Sequence, residues 1–131
     1  MVEAGAEAES WEERLAAGLG AFLNYVAGEP ALSRTCIVEA LSAGPAAQER
    51  YEASLQAFVP SLRIGRESSP HGEDLPDTLE ESIVGGIFWV IYQRIVLGQT
   101  DQIEALLPDL VDFALTPYIG AESAQRATAR L

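Results

Sequence analysis

"IVGGIFWVIYQRIVLG" (residues 83–98) is apolar on nearly every side. A helix at the surface of a globular protein keeps one polar face, so this segment asks for cover on two sides. A bilayer is one candidate cover. A spanning helix takes about 20 consecutive apolar residues. The unbroken run here is only Ile83 to Tyr92, followed by Gln93 and Arg94 and flanked by Asp77, Glu80, Glu81 and Asp101. A buried helix is expected, and no membrane partner.

Successive side chains advance by about 100° along a helix. Ile83, Ile87, Val90, Ile91 and Arg94 then cluster on one side, and Gly85, Phe88, Trp89, Tyr92, Ile95 and Val96 on the other. Two apolar faces need two partners. The rest of a small domain covers one; a second subunit is the expected cover for the other. Gly85 and Gly86 fit close packing, because glycine in mid-helix costs roughly 0.5–1 kcal/mol relative to alanine and needs a compensating contact. The plainer alternative is that they make room for Phe88 or Trp89 inside one protomer.

Outward from this helix the chain reads as helical throughout. Ser10 and Glu13 have the spacing of a capping box, and Trp11, Leu15, Leu19, Phe22, Leu23 and Val26 form one stripe before Gly28 stops the first helix. Pro30 suits the first turn of a second helix, which carries Leu32, Cys36, Ile37 and Leu41 to about Gly44. Pro45 opens a third, with Tyr51, Leu55, Phe58, Val59 and Leu62 on one stripe and a bend or break at Pro60. "ESSPHGEDLP" (67–76) is turn-rich and expected to be a mobile loop. Asp77 and Glu80 are expected to cap the fourth helix, ending at Gly98. A fifth runs from about Ile103 to Leu115, with "TPYIG" (116–120) expected to break it. A short amphipathic tail follows. Residues 1–9 are expected to be a disordered acidic tail, and residues 10–131 a single all-α domain, an antiparallel bundle of five to six helices.

The chain has 131 residues, enough for one domain with a real core. Hydrophobic residues make up 48% and charged residues 21%, an ordinary globular balance. Twenty acidic against eight basic residues give a net charge of −12. Such a surface repels phosphate backbones and anionic lipid, so the chain by itself is not expected to bind nucleic acid. A single cysteine, Cys36, excludes an internal disulfide and makes a reducing cytoplasm the simplest compartment.

Three stretches carry a family resemblance: "GEPALSRTCIVEALSAGPAAQERY" (28–51), "LEESIVGGIFWVIYQRIVLGQ" (79–99) and "LLPDLVDFALTPYIGAESA" (106–124). They resemble the C-terminal domain of TetR-family transcription regulators, over roughly residues 10–125, in order and texture rather than through an invariant chemical motif. The resemblance implies a ligand-sensing and dimerisation domain, in which the last two long helices (here 77–97 and 103–116) pair with their symmetry mates in an intersubunit four-helix bundle. It also implies an inducer pocket among the preceding helices. The family's N-terminal helix-turn-helix, which reads the major groove, has no counterpart before Trp11. The expectation is an excised sensor domain or a natural protein that lost its DNA-reading part, the first being preferred; in both cases DNA binding is assigned only to an absent segment.

Pockets of this kind are apolar with a few polar anchors, so the candidate ligand residues are Phe22, Tyr25, Cys36, Tyr51, Leu55, Phe58, Leu62, Trp89, Tyr92 and Gln93. Each aromatic could equally be plain core. The expected interface residues are Ile83, Ile87, Val90, Arg94, Leu107, Leu110, Val111 and Ala114, with Arg94 pairing with Asp109 or Asp112 of the partner or holding an anionic ligand. His71 lies in the polar loop and is expected to be solvated. Cys36 is expected to be a small buried hydrophobe. No Glu-x-x-His or His-rich spacing suggests a metal, no glycine loop suggests a phosphate cofactor, and no Ser/His/Asp set suggests an enzyme. The expected function is therefore effector sensing by a homodimer, with a small, largely apolar molecule. A ligand-free helical dimerisation module is the alternative, and a cavity with polar anchors separates the two.

Overall fold

A computed structural model of the chain describes residues 10–39 and 44–131. The expected tail at 1–9 and Leu41 lie outside the described residues. Among the described residues there is no strand, and the class is all-α.

Helix α1 spans Trp11–Gly28 and begins with the full capping box: Ser10 accepts from the Glu13 backbone, and the Glu13 carboxylate accepts from the Ser10 backbone. Helix α2 (Pro30–Ser33) carries Pro30 in its first turn and continues as a π turn over Arg34–Val38. Helix α3 spans Pro45–Gln56, again opened by proline. Pro60 ends that pattern as expected: the chain turns at residues 57–58 and restarts as α4 (Val59–Arg63), with Pro60 in the first turn, where its missing N–H is harmless. Helix α5 is Gly65–Ser68.

Helix α6, the apolar segment, spans Leu79–Val96. It closes in a Schellman motif. Gly98 takes a φ of 71°, its N–H donates to the Ile95 carbonyl, and Gln99 N–H donates to the Arg94 carbonyl. Arg34 reaches across and donates to the Ile95 carbonyl at 3.3 Å, fastening the π turn to this helix end. Helix α7 spans Leu107–Ile119 and α8 Ala121–Ala129. The expected helix from Ile103 starts later, because Pro108 must sit in a first turn; Glu104–Leu106 forms a 3-10 turn, preceded by a fully buried Ile103. The expected break at 116–120 is also displaced. Helix α7 runs through Pro117, which lies in its last turn and frees only the Phe113 carbonyl, and it ends at Gly120 with φ 87°. The tail packs as α8 against α7.

The interior is built from Leu19, Leu23 and Val26 of α1, Ile83, Ile87 and Ile91 of α6, and Val111, Leu115 and Tyr118 of α7. One corner of it holds a carboxylate. Glu80 was expected as a helix cap; it is instead fully buried, and Thr78 takes the cap position. Arg66 grips it with two bonds, Nε to Oε2 at 2.8 Å and Nη2 to Oε1 at 3.0 Å. The Tyr118 hydroxyl donates to Oε2 at 2.8 Å, and Arg63 Nη2 lies 3.6 Å from Oε1. Burial alone would push the Glu80 carboxyl up, but the hydrogen bonds from Arg66 and Tyr118 outweigh it and hold it below the usual carboxylate range. Arg66 also donates to the carbonyls of Gly72, Leu75 and Pro76. The loop expected to be mobile is thus tied to the core by one guanidinium.

Trp11 completes this corner. Its indole N–H donates to the Ser61 carbonyl at 2.7 Å, and its ring meets Tyr118 edge-on with centroids 5.3 Å apart. Gly65 lies directly beneath the indole, where any Cβ would collide with it. Gly65→Ala should therefore cost about 1–3 kcal/mol in urea unfolding, the range for overpacking; an unchanged midpoint would show that the indole has room to shift.

Breaking a buried ion pair from one side costs about 3–5 kcal/mol, and Arg66 keeps some solvent contact. Glu80→Gln should thus lose about 3 kcal/mol near neutral pH. Because the native carboxyl titrates below its unfolded value, its stabilisation is present above the unfolded Glu value of about 4.3 and drains away as pH falls through the lower, native value. The wild type should lose stability steeply on acidification, and the variant less steeply. Parallel pH profiles would contradict this placement of Glu80.

Candidate functional site

An apolar cavity of about 330 Å³ opens among α1, the α3–α4 junction, α6 and α7. Helix α1 contributes the stripe Trp11, Leu15, Leu19 and Phe22 at helical spacing, together with Gly18. The opposite wall is Phe58 and Leu62, and the remaining walls are Val84, Ile87 and Phe88 of α6 and Ala114 of α7. The polar lining is Arg14 and Ser61. The volume is at the lower end of the 300–1,000 Å³ typical of small-molecule pockets, and mostly apolar walls with few polar groups are the usual composition.

The structure brings together only some of the expected ligand residues. Phe22, Phe58 and Leu62 line this cavity. Tyr25, Cys36 and Tyr51 line a smaller adjoining one with Phe22. Burial pushes the Tyr51 hydroxyl's pKa up, so it stays a neutral donor. Leu55 packs against the core without lining the cavity. Cys36 is exposed on its outer side rather than buried. Trp89, Tyr92 and Gln93 point elsewhere: Trp89 is 60% exposed, and its ring stacks on Tyr92 with centroids 5.7 Å apart.

The physical reason is the rotation of α6 about its axis. It turns Glu80, Val84, Ile87 and Ile91 fully inward, with Ile83, Phe88 and Ile95 beside them. The expected interface residues Ile83, Ile87, Leu110, Val111 and Ala114 are accordingly protomer core, and Ile87 and Ala114 are cavity wall. Val90, Arg94 and Leu107 are half-buried. The side left open is the other one, Ser82, Gly85, Trp89 and Val96 with the half-buried Tyr92 among them, alternately three and four residues apart as in a helix–helix seam.

Helix α7 extends this open face with Phe113, 47% exposed, whose ring lies over Gly86 so that a Cβ there would come within 3.2 Å of it. Gly86 therefore serves packing inside the protomer, but with Phe113 rather than Phe88 or Trp89. A Cβ on Gly85 would meet nothing within 4 Å. Asp112, also on α7, keeps Oδ1 buried with no hydrogen-bond partner among the described residues, and Arg94 forms no salt bridge among them. No group of three or more metal-ligating side chains occurs among the described residues, and no described helix is long and apolar enough to cross a membrane. His71 is exposed.

Trp11, Leu15, Gly18, Leu19 and Val84 were missed as cavity residues. For the four on α1 the signal was present in the stripe, which breaks at Gly18 and leaves space where a larger side chain would have filled it. No protein-family model, curated protein or solved structure matches the chain.

The cavity yields a direct expectation. Gly18 is helical, and a Cβ built on it meets nothing within 4 Å. Gly18→Leu should raise stability by about 0.5–1 kcal/mol, the helix cost of glycine, while narrowing the cavity. Loss of stability in chemical denaturation would mean that the space is not open.

Proposed function

We propose that this chain is an effector-binding and dimerisation domain of the TetR type, sensing a small, mostly apolar molecule. The observation that carries the reading is the double role of α6. Its inner side walls an apolar cavity, and its outer side presents a bare aromatic seam. A helix with both properties couples what fills the cavity to what covers the seam. The alternative, a dimerisation module with a filled interior, is disfavoured by the cavity.

The occupant of the seam is a second copy of the chain. Symmetric pairing places Trp89, Tyr92 and Phe113 against their counterparts, gives the space above Gly85 an incoming side chain, and brings donors from another subunit within reach of Asp112. Filling the cavity displaces Val84, Ile87 and Phe88, and the rigid helix carries that shift to the dimer seam. A net charge of −12 agrees with a domain that does not itself touch DNA.

Sedimentation velocity at micromolar concentration should give a dimer for the wild type, and a folded monomer for Trp89→Glu, which places a charge at the centre of the seam. Small apolar molecules should raise the wild-type melting temperature and fail to raise that of Gly18→Leu. A wild-type monomer, together with no stabilising molecule in such a screen, sinks the reading.

A further inference from the structure

The cavity has a neighbour. A second apolar chamber of about 150 Å³ lies between α1, α2, α3 and α6, with Leu32, Cys36 and Tyr51 among its walls. Two of its walls, Phe22 and Phe88, are also walls of the main cavity, so the chambers stand back to back across a partition of phenyl rings. Phe58 backs both rings from the main-cavity side. The ring centroids are 5.3 Å apart for Phe22–Phe58, 5.7 Å for Phe58–Phe88 and 5.5 Å for Phe22–Phe88, each a contact distance for aromatic pairs.

The three rings are not held alike. Phe88 is buried in the middle of α6. Phe22 is half-buried, and Phe58 sits in the two-residue turn between α3 and α4, outside any helix. Of the two shared walls, Phe22 is the less buried, and Phe58, which backs it, is the ring outside a helix.

We propose that these two rings form a gate, and that the effector is a linear alkyl-chain amphiphile. Its head rests at the Arg14–Ser61 end of the main cavity, and its tail passes the gate into the side chamber. The proposal rests on the sensor reading above and adds the ligand's shape to it. The main chamber alone is at the small limit for a ligand pocket, and the two joined fall well inside the usual range. A passage as narrow as a pair of displaced rings admits a polymethylene chain and excludes a fused ring system. Each methylene that enters gains burial against apolar walls. The cationic Arg14 suits a carboxylate or a carboxyl-derived head.

The chain carries its own reporters. It has two tryptophans and one cysteine. In Trp89→Phe the remaining indole, Trp11, reports on the main cavity, and Cys36 reports on the side chamber. Hexanoate, octanoate, decanoate, dodecanoate and tetradecanoate are titrated below their micelle concentrations while Trp11 emission and the rate of Cys36 alkylation by N-ethylmaleimide are followed. Hexanoate should shift Trp11 emission and leave Cys36 labelling unchanged. Beyond a threshold length the acids should also slow labelling several-fold, with affinity rising about fourfold per added methylene. Phe58→Leu, which thins one leaf, should lower that threshold.

If Trp11 responds to the acids but no chain length protects Cys36, the gate is wrong and the sensor reading stands. If hexanoate already protects Cys36, the side chamber fills from outside and the passage is wrong. If Trp11 responds to compact apolar molecules and to no alkanoate, the linear ligand is wrong and sensing stands. If it responds to nothing, both fall.

Discussion

A single buried carboxylate sets the geometry of this protein. Glu80 has no solvent exposure, and its negative charge is tolerable there only because Arg66 and Tyr118 hydrogen-bond to it. The carboxylate and its two partners come from three places along the chain: the first turn of α6, α5 and the end of α7. Satisfying one ion therefore fixes three elements relative to one another. Arg66 spends its remaining donors on the loop that leads into α6. Trp11 leans on Tyr118 and bonds to Ser61, so α1 is placed by the same cluster. An apolar contact in this position would allow sliding; directional bonds to a charge do not.

That rigid corner makes a cavity possible next to it. Protein interiors are packed to near crystal density, and unfilled apolar space is destabilising. The apolar cavity of about 330 Å³, open to solvent on one side, is bordered by anchored walls. Trp11 and Leu62 are anchored on the side of the ion cluster, and α6 is held at both ends, by Glu80 at one and by Arg34 on the Ile95 carbonyl at the other. Between those anchors the walls are Leu15, Leu19, Phe22, Phe58 and Phe88, joined to one another only by dispersion and ring contacts. The fold is thus stiff at its ends and adjustable in the middle. In the proposed sensor, this is where a bound molecule acts on α6.

The α6 helix also shows how far apolar patterning carries an argument. Its lack of a polar face required two covers, and the structure supplies one and leaves the other side bare. Which side is which was not legible. Ile87 and Trp89 are equally apolar in one dimension, and the helix could have been rotated to bury either. The choice falls to the position of Glu80: once the carboxylate is turned inward to meet Arg66, Val84, Ile87 and Ile91 follow it inward at helical spacing, and Gly85, Trp89 and Val96 are carried outward.

Read alone, the sequence determined whatever depends on neighbours a few residues apart. The Ser10–Glu13 capping box, the prolines that open α2 and α3, the break at Pro60, the Gly98 terminus and the all-α class all follow from local backbone chemistry and side-chain periodicity. Only the tertiary structure decided the burial of Glu80, the need for glycine at position 65, the continuation of α7 through Pro117, and the meeting of Phe22, Phe58 and Phe88. Glu80 and Tyr118 are 38 residues apart, and Trp11 and Ser61 are 50 apart. The energies of such contacts depend on distance in space and on exclusion of water, and neither quantity has any trace in the order of residues along the chain.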